Sequence, residues 1–299
     1  MSDLANGQAG AESPETVEGP PLPDEDFHRL ARWAAEHMGA CIPPDQRERL
    51  RQRLEPLRAE LGGARSWNEL YRRLRVGGDR DRYAADAVHR LTNKESYFFR
   101  EGAHLELLVE EAIPARLRVL REQGRKQLRV LSAGCGRGQE PYSIAMAAAD
   151  SGRIPPGFEV SVLALDVDQA ALDSARAATY TAHSLRGVGE AERARFFRPL
   201  EAGGYEVRPA FRRHVTFERV NLADPDWPQG RPLQDVAFCR NVLIYLNERA
   251  QAEAIRGLFR ALAPGGYLFV GHVEHLRAAS GLFLAHRRPA ATLYQKPPA

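Results

Sequence analysis

The 299-residue sequence has few cysteines and no long apolar run. Cys41, Cys135 and Cys239 lie far apart, without the spacing of a metal site or a disulfide framework. No segment approaches the ~20 apolar residues of a membrane-spanning helix, and the N-terminus lacks the basic-then-apolar pattern of a secretory signal. The sequence therefore predicts a reduced, cytoplasmic protein that does not insert into a membrane.

Basic residues are missing from the start of the chain. Residues 1–26 contain seven Asp and Glu, no Lys or Arg, and many Gly and Pro. Because such a segment buries too little apolar surface to offset its ordering entropy, residues 1–25 are predicted to form a disordered acidic tail. The remaining residues carry 42 Lys and Arg against 32 acids, a net charge of +10. This excess indicates either an acidic partner or arginine-rich faces that are simply solvated.

Apolar residues between positions 26 and 91 recur at helical spacing, without strand-like alternation. One helix carries an apolar stripe and a separate arginine face. The stripe consists of Leu50, Leu54, Leu57 and Leu61, and the face of Arg47, Arg51 and Arg58. Residues 26–91 are therefore predicted to form a small all-helical N-terminal domain.

Residues 92–299 alternate between strand-like and helix-like segments. Buried strands are predicted at 128–132, 160–165, 235–239 and 267–270, with helices between them. This order is typical of an α/β fold with a doubly wound, largely parallel sheet. Two short alternating runs, 205–207 and 215–217, predict a small antiparallel β insertion at 196–220.

A glycine-rich turn, Gly134 to Gly138, follows the first predicted strand, where backbone amides and a helix N-terminus can approach a ligand. Asp166 ends the next strand and can accept both hydroxyls of a ribose. The third glycine falls one position early for a dinucleotide fingerprint. Glu140 would also repel a pyrophosphate but suits a sulfonium, so the pattern favours S-adenosylmethionine. Alternatively, the glycines only permit a tight turn and Asp166 caps the following helix.

Five segments resemble, in order, motifs of the CheR-type chemotaxis receptor methyltransferases. They are Leu91–Glu101, Ser132–Met146 with its Glu-Pro-Tyr-Ser-Ile-Ala run, Ala164–Asp168, Phe238–Leu246 and Gly265–Glu274. The resemblance implies a class I, Rossmann-like methyltransferase domain behind the helical one. It also implies a protein-glutamate O-methyltransferase, which moves a methyl group from S-adenosylmethionine to glutamate carboxylates of a chemoreceptor. The products are glutamate methyl esters and S-adenosylhomocysteine.

The resemblance also implies which residues act. Cofactor contacts are expected from Ser96, Arg100, Gly134, Glu140, Asp166, Asn221, Leu222, Arg240, Asn241 and Val242. Arg100 and Tyr245 are expected to be catalytic, because a guanidinium can hold the substrate carboxylate and a phenol can steer its second oxygen. The alternatives are a salt bridge from Arg100 to Glu101 or Glu140, and a core ring for Tyr245. Lys94 departs from the family pattern, in which Asn or Gly is frequent.

A substrate glutamate needs no general base, because its unperturbed pKa of ~4.3 leaves it ionised at neutral pH. No His/Asp or Ser/His pair accompanies the motifs. His272 and His275 flank Glu274 without the spacing of metal ligands, so no metal site is predicted.

The implied partner is the cytoplasmic helical domain of a chemoreceptor, which the arginine face could contact, and a monomer is expected. The insertion around Glu201–Tyr205 looks shorter than in members that bind a receptor C-terminal peptide, so no such tether is predicted. Nucleic acid is not expected as a partner, because Arg240–Tyr245 lacks the Asn-Pro-Pro-Tyr arrangement that holds an extruded base. Two alternatives remain open: methylation of another signalling protein or small acid, and a non-catalytic S-adenosylmethionine-sensing module.

Overall fold

The computed structural model of the chain describes residues 19–60, 66–272, 274, 276, 281–289 and 291–298. Most of the predicted acidic tail, residues 1–18, lies outside this range, as does Leu61 of the predicted apolar stripe. Among the helices that are described, none combines the length and the apolar composition required to cross a membrane.

Helices and strands alternate after an all-helical beginning. The helices are α1 (Asp24–Met38), α2 (Arg47–Ala59), α3 (Trp67–Arg75), α4 (Arg80–Leu91), α5 (Gly102–Leu107), α6 (Ile113–Glu122), α7 (Gln139–Asp150), α8 (Gln169–Ala177), α9 (Glu190–Phe196), α10 (Pro209–Arg212) and α11 (Glu248–Ala261). The strands are β1 (Gln127–Ala133), β2 (Glu159–Asp166), β3 (Thr179–Tyr180), β4 (Phe197–Pro199), β5 (Tyr205–Val207), β6 (Val215–Arg219), β7 (Gln234–Cys239), β8 (Leu262–Val270), β9 (Leu284–Arg287) and β10 (Thr292–Gln295).

Helices α1 to α4 pack around their own apolar cluster, which includes Leu50, Leu54 and Leu57 of the α2 stripe. Helix α1 follows Pro23 and ends at Gly39, whose left-handed φ of 69° closes the helix. Leu22 is buried in this cluster, and the Trp67 Nε1–H donates to the Pro21 carbonyl at 3.0 Å. The folded part of the chain thus begins before residue 26, because Leu22 supplies an apolar anchor at the end of the predicted tail.

The main sheet has the strand order β6-β2-β1-β7-β8-β10-β9. The first five of these strands are parallel, and β10 and β9 extend the sheet as an antiparallel pair. Strands β1 and β7 lie in the centre and are largely buried, which is consistent with the predominance of apolar residues in both. The predicted doubly wound α/β sheet is confirmed, although β9 and β10 were not predicted.

A small antiparallel sheet, with the order β3-β5-β4, accompanies the main sheet, as predicted. The strands that form this small sheet differ from the predicted ones. The 215–217 run belongs to β6, which pairs in parallel with β2 at the edge of the main sheet. Its third strand is β3, whose two residues are too short to show any periodicity. Alternation alone cannot distinguish an insertion strand from the half-covered edge of a larger sheet.

The helical N-terminal region contacts the carboxyl edge of the main sheet. The Cys41 N–H donates to the Tyr245 carbonyl at 2.8 Å, and the Asn247 N–H donates to the Gly39 carbonyl at 2.9 Å. On the other side, His89 Nδ1 lies 2.9 Å from the buried carboxylate of Asp168. These contacts hold α1 to α4 over the ends of the parallel strands.

Candidate active site

Two adjoining cavities lie where β1, β2 and β7 end. The larger has a volume of about 270 Å³ and the smaller of about 60 Å³. Both are lined by Asn93, Lys94, Gly134, Gly136 and Asn241. Because parallel strands end at the same edge, loops that are distant in the chain meet here.

Each residue that was predicted for the site lines one or both of these cavities. Asp166, Asn221, Leu222, Val242 and Tyr245 line the larger one. Ser96, Arg100, Glu140 and Arg240 line the smaller one, and Gly134 and Asn241 line both. The structure therefore brings all of the predicted residues together around one continuous depression.

The glycine loop forms the floor between the cavities. Gly134 has a φ of 78°, and a Cβ there would lie 2.2 Å from Val242 Cγ2, so only glycine lets the β1 and β7 loops approach this closely. Gly136 also has a positive φ, of 53°, but a Cβ there would meet no atom within 4 Å. Gly136 thus faces open space, and its backbone is accessible from the cavities.

Asp166 is held by the glycine loop. Its carboxylate accepts the Gly136 N–H at 2.7 Å and the Asp168 N–H at 2.9 Å. Burial raises the pKa of Asp166, while these hydrogen bonds act in the opposite direction. The residue that caps α8 is Asp168, which accepts the Ala171 N–H at 3.2 Å, so the interpretation of Asp166 as a helix cap is wrong.

Glu140 lies at the back of the smaller cavity. Its Oε1 accepts the Ser132 hydroxyl at 2.7 Å, and its Oε2 lies 3.4 Å from Arg240 Nη1. Burial raises the pKa of Glu140, and the Arg240 guanidinium opposes this shift. Arg240 also donates to the Arg100 carbonyl at 2.5 Å. The buried guanidinium of Arg240 thus ties the segment around Arg100 to α7, a structural use that was not predicted.

Arg100 itself has only weak partners. Its Nε lies 3.9 Å from Glu101, and its Nη1 lies 3.4 Å from the Glu95 carbonyl. Glu101 is closer to His104 and Arg240, at 3.1 and 3.2 Å. These two neighbours, His104 first, lower the pKa of Glu101 to about 2. The predicted salt bridge from Arg100 to Glu101 is present only as a long contact of 3.9 Å, and Glu140 pairs with Arg240 instead, so the Arg100 guanidinium can still reach a ligand.

Backbone strain accompanies Arg100. The residues before and after it, Phe99 and Glu101, both have left-handed φ values, of 59° and 53°. Such conformations persist where the surroundings impose them, and here the Phe99 N–H donates to the Ser143 hydroxyl of α7 at 2.9 Å. The strained turn directs Arg100 toward the smaller cavity.

Tyr245 is 41% exposed, so the interpretation of its ring as core is wrong. Its hydroxyl oxygen accepts a hydrogen bond from Asn93 Nδ2 at 2.6 Å. Asn93 was missed in the sequence, because its partner lies 152 residues away along the chain. The side chain of the next residue, Lys94, is directed toward His89 and Asp168. Its Nζ donates to the His89 carbonyl and lies 3.9 Å from the Asp168 carboxylate.

The side chain of Asn221 connects the site to the helical region. Its Nδ2 donates to the His37 carbonyl at 3.0 Å, and its Oδ1 accepts the Ala223 N–H at 3.0 Å. The helical region adds further cavity residues that the sequence did not reveal, since a helical stripe does not indicate which surface it will cover. They are Met38, Ala40, Cys41, Ile42, Gln46, Arg49, Leu50 and Arg53.

The donor set fits S-adenosylmethionine. Asp166 offers carboxylate oxygens to a ribose, Leu222 and Val242 offer apolar surface to a base, and Gly136 offers open space beside its backbone. In the smaller cavity, Glu140 offers a carboxylate to the positively charged end of the cofactor. Among the residues that the structure covers, no group of three or more His, Cys, Asp or Glu is arranged to hold a metal, and His275 lies outside them.

The family model and the curated relatives indicate one family. Residues 94–289 match the family model described as CheR methyltransferase, SAM binding domain. Chemotaxis protein methyltransferase 1 of Pseudomonas aeruginosa is 31% identical over 259 residues, which cover 84% of this chain and 90% of the relative. Chemotaxis protein methyltransferase 2 of Vibrio cholerae is 29% identical over 276 residues, or 92% of this chain and 94% of the relative. Among solved structures, an O-methyltransferase family protein from Burkholderia thailandensis aligns with a TM-score of 0.40 and 14% identity, over 89% of this chain and 76% of its own.

Proposed function

Because the chain belongs to the CheR methyltransferase family and is an S-adenosylmethionine-dependent methyltransferase, we propose that it methylates glutamate side chains on the cytoplasmic helical domain of a chemoreceptor. The observation that carries the choice of a carboxylate acceptor is the pair of joined cavities. Arg100 lines one and Tyr245 lines the other. The ion pair of Arg100 with Glu101 is long, at 3.9 Å, and the Tyr245 hydroxyl accepts a hydrogen bond from Asn93, which leaves its proton for a ligand. The names of the relatives, which refer to chemotaxis, support a receptor as the substrate.

The cofactor residues divide between the two cavities. Asp166 would accept the ribose hydroxyls, Leu222 and Val242 would contact the base, and Glu140 would face the positively charged end. When bound, S-adenosylmethionine supplies an electrophilic methyl group to a carboxylate oxygen. The products would be a glutamate methyl ester and S-adenosylhomocysteine. Asp166 and Glu140 are partly buried acids whose pKa values are raised by burial, so a cationic ligand would favour their ionised forms.

The substrate side requires alignment more than acid–base chemistry. A glutamate carboxylate is ionised at neutral pH, so the protein must hold it and remove part of its water. Arg100 would hold the carboxylate through charge-assisted hydrogen bonds, and Tyr245 would donate to its second oxygen. The cover formed by α1 and α2 on the larger cavity would limit the access of water.

The arginine face of α2 is less available than the sequence suggested. Each of its three members has an acidic partner: Arg47 contacts Asp24, Arg51 pairs with Glu48, and Arg58 pairs with Glu55. Arg49 and Arg53, on the side of α2 that lines the larger cavity, are the better candidates for contact with an acidic receptor helix. Burial lowers the pKa of Arg53, and the neighbouring Arg49 adds to this effect.

We further propose that the protein acts as a cytoplasmic monomer.

Labelled methyl transfer tests the proposal directly. The protein is mixed with a receptor cytoplasmic fragment and S-adenosylmethionine that carries a labelled methyl group. Incorporated label that is released by mild base indicates a carboxyl ester, whereas base-stable label would indicate methylation of an amine or of carbon and would contradict the proposal. The variant Arg100→Lys should lose most of the base-labile label, because an ammonium cannot hold the carboxylate in a bidentate manner. Arg82→Lys, at an exposed position on α4, serves as the control.

A further inference from the structure

One hydrogen bond links the two halves of the site. Asn93, between α4 and Arg100, donates through Nδ2 to the hydroxyl oxygen of Tyr245, in the loop after β7, at 2.6 Å. Asn93 lines both cavities, so this contact lies at their junction. Neither residue would reach the other without the tertiary fold.

The orientation of the Asn93 amide follows from its second contact. Its Oδ1 accepts the Glu95 N–H at 3.3 Å, which leaves the NH₂ group facing the phenol. A phenol has one proton to donate and can accept through its oxygen. Since Asn93 occupies the oxygen as a donor, the Tyr245 proton needs another acceptor. Within the described part of the chain, the Tyr245 hydroxyl has no such acceptor, and the cavity is the open direction.

We propose that Asn93 is a positioning residue, which holds the Tyr245 hydroxyl as a hydrogen-bond donor toward the substrate carboxylate. This inference rests on the proposed function and specifies how Tyr245 performs its part. A hydrogen bond received by the phenol oxygen polarises its O–H bond and strengthens the bond that it donates. The substrate carboxylate then has one oxygen held by both Tyr245 and Arg100, and the other, which contacts only Arg100, keeps a lone pair for the methyl group.

The variant Asn93→Asp tests the direction of the hydrogen bond. Asp has almost the same shape but accepts instead of donating, so it would draw the Tyr245 proton away from the substrate. Asn93→Ala removes the donor without offering an acceptor. We expect kcat for receptor methylation to fall about fivefold to tenfold in Asn93→Ala, the range for one lost hydrogen bond, and further in Asn93→Asp. The affinity for S-adenosylhomocysteine, measured by calorimetry, should change less than twofold.

A double-mutant cycle with Tyr245→Phe distinguishes a positioning role of Asn93 from general damage to the site by its substitution. If Asn93 acts through the Tyr245 hydroxyl, both Asn93 substitutions should leave kcat unchanged in the Tyr245→Phe background. Asn68→Ala removes an exposed asparagine that accepts a hydrogen bond from Arg29 at 3.0 Å, and it serves as the matched control.

The possible failures are distinguishable. If Tyr245→Phe alone leaves kcat at the wild-type value, the catalytic role of Tyr245 in the proposed function is wrong. If Tyr245→Phe lowers kcat but the effect of Asn93→Ala is additive, the role of Asn93 is overturned while that of Tyr245 stands. A change confined to the affinity for S-adenosylhomocysteine would also overturn the role of Asn93.

Discussion

The buried carboxylate of Glu274 accepts the backbone N–H of Asn241 at 2.7 Å. The same carboxylate accepts the N–H groups of Val242 at 2.8 Å and Gly271 at 2.7 Å. Asn241 has a left-handed φ of 59°, which the surroundings must stabilise. Glu274 therefore fixes the loop that carries Asn241, Val242 and Tyr245 to the end of β8.

Glu274→Gln should destabilise both the fold and the site. A glutamine keeps one acceptor oxygen, but its NH₂ group would face backbone N–H groups that have no other acceptor. The unpaired donors should lower the free energy of unfolding by about 1–3 kcal/mol, measured by urea denaturation. Glu253→Gln, which removes an exposed ion pair to Arg256, should change it far less. Equal losses in the two variants would contradict the role of Glu274.

Asp166→Asn should weaken cofactor binding. The substitution removes the negative charge that would accept two ribose hydroxyls, and hydrogen bonds to charged groups contribute more than neutral ones. The affinity for S-adenosylhomocysteine should fall about tenfold to hundredfold in calorimetric titrations. The control is Asp173→Asn on the exposed side of α8, where the carboxylate pairs with Arg176. Unchanged binding by Asp166→Asn would place the ligand elsewhere.

Acid should remove the contribution of Glu101 to stability. Its pKa falls from the ordinary value of 4.5 to about 2 in the folded protein, first because of His104 and then because of Arg240. The stabilisation is fully present above pH 4.5, where the unfolded chain is also ionised, and is lost as the pH falls toward 2. The difference in unfolding free energy between wild type and Glu101→Gln should therefore be constant at neutral pH and shrink below pH 4.5. Glu110→Gln, at an exposed partner of Arg153, is the control, and a difference that stays constant down to pH 3 would contradict the assignment.

Receptor methylation should not depend on a C-terminal receptor peptide. Strand β4 lies at an edge of the small sheet and has three residues, one of which, Pro199, has no N–H to donate to an added strand. Its connection to β5 is a short turn, in which the Leu200 N–H donates to the Gly204 carbonyl. Receptor fragments with and without their tails should be methylated at comparable rates, and a large loss on removal of the tail would refute this.

Features of the fold that leave a pattern in consecutive residues could be predicted from the sequence. A buried strand leaves a local run of apolar residues, and a turn with positive φ values leaves glycines at adjacent positions. These patterns predicted the strand before Gly134, the glycine turn itself and the position of Asp166 at the end of the next strand. The family motifs then indicated many of those cavity residues that lie in the predicted methyltransferase domain, but not Asn93. Several short elements were misassigned or missed. Strand β6 has the alternation of an insertion strand, β3 has too few residues for any pattern, and the antiparallel pair β9 and β10 was not predicted.

The chain's local patterns thus predicted the fold class and the type of ligand, and the family resemblance implied most of the residues at the strand ends. Only the tertiary structure decided which of those residues are free to act. Arg100 is available because Arg240 and His104 occupy Glu101, and Tyr245 is oriented because Asn93 reaches it from the other side of the site. Such contacts join positions that are far apart in the chain, and periodicity carries no information about which distant side chain will satisfy a buried charge or fix a hydroxyl proton.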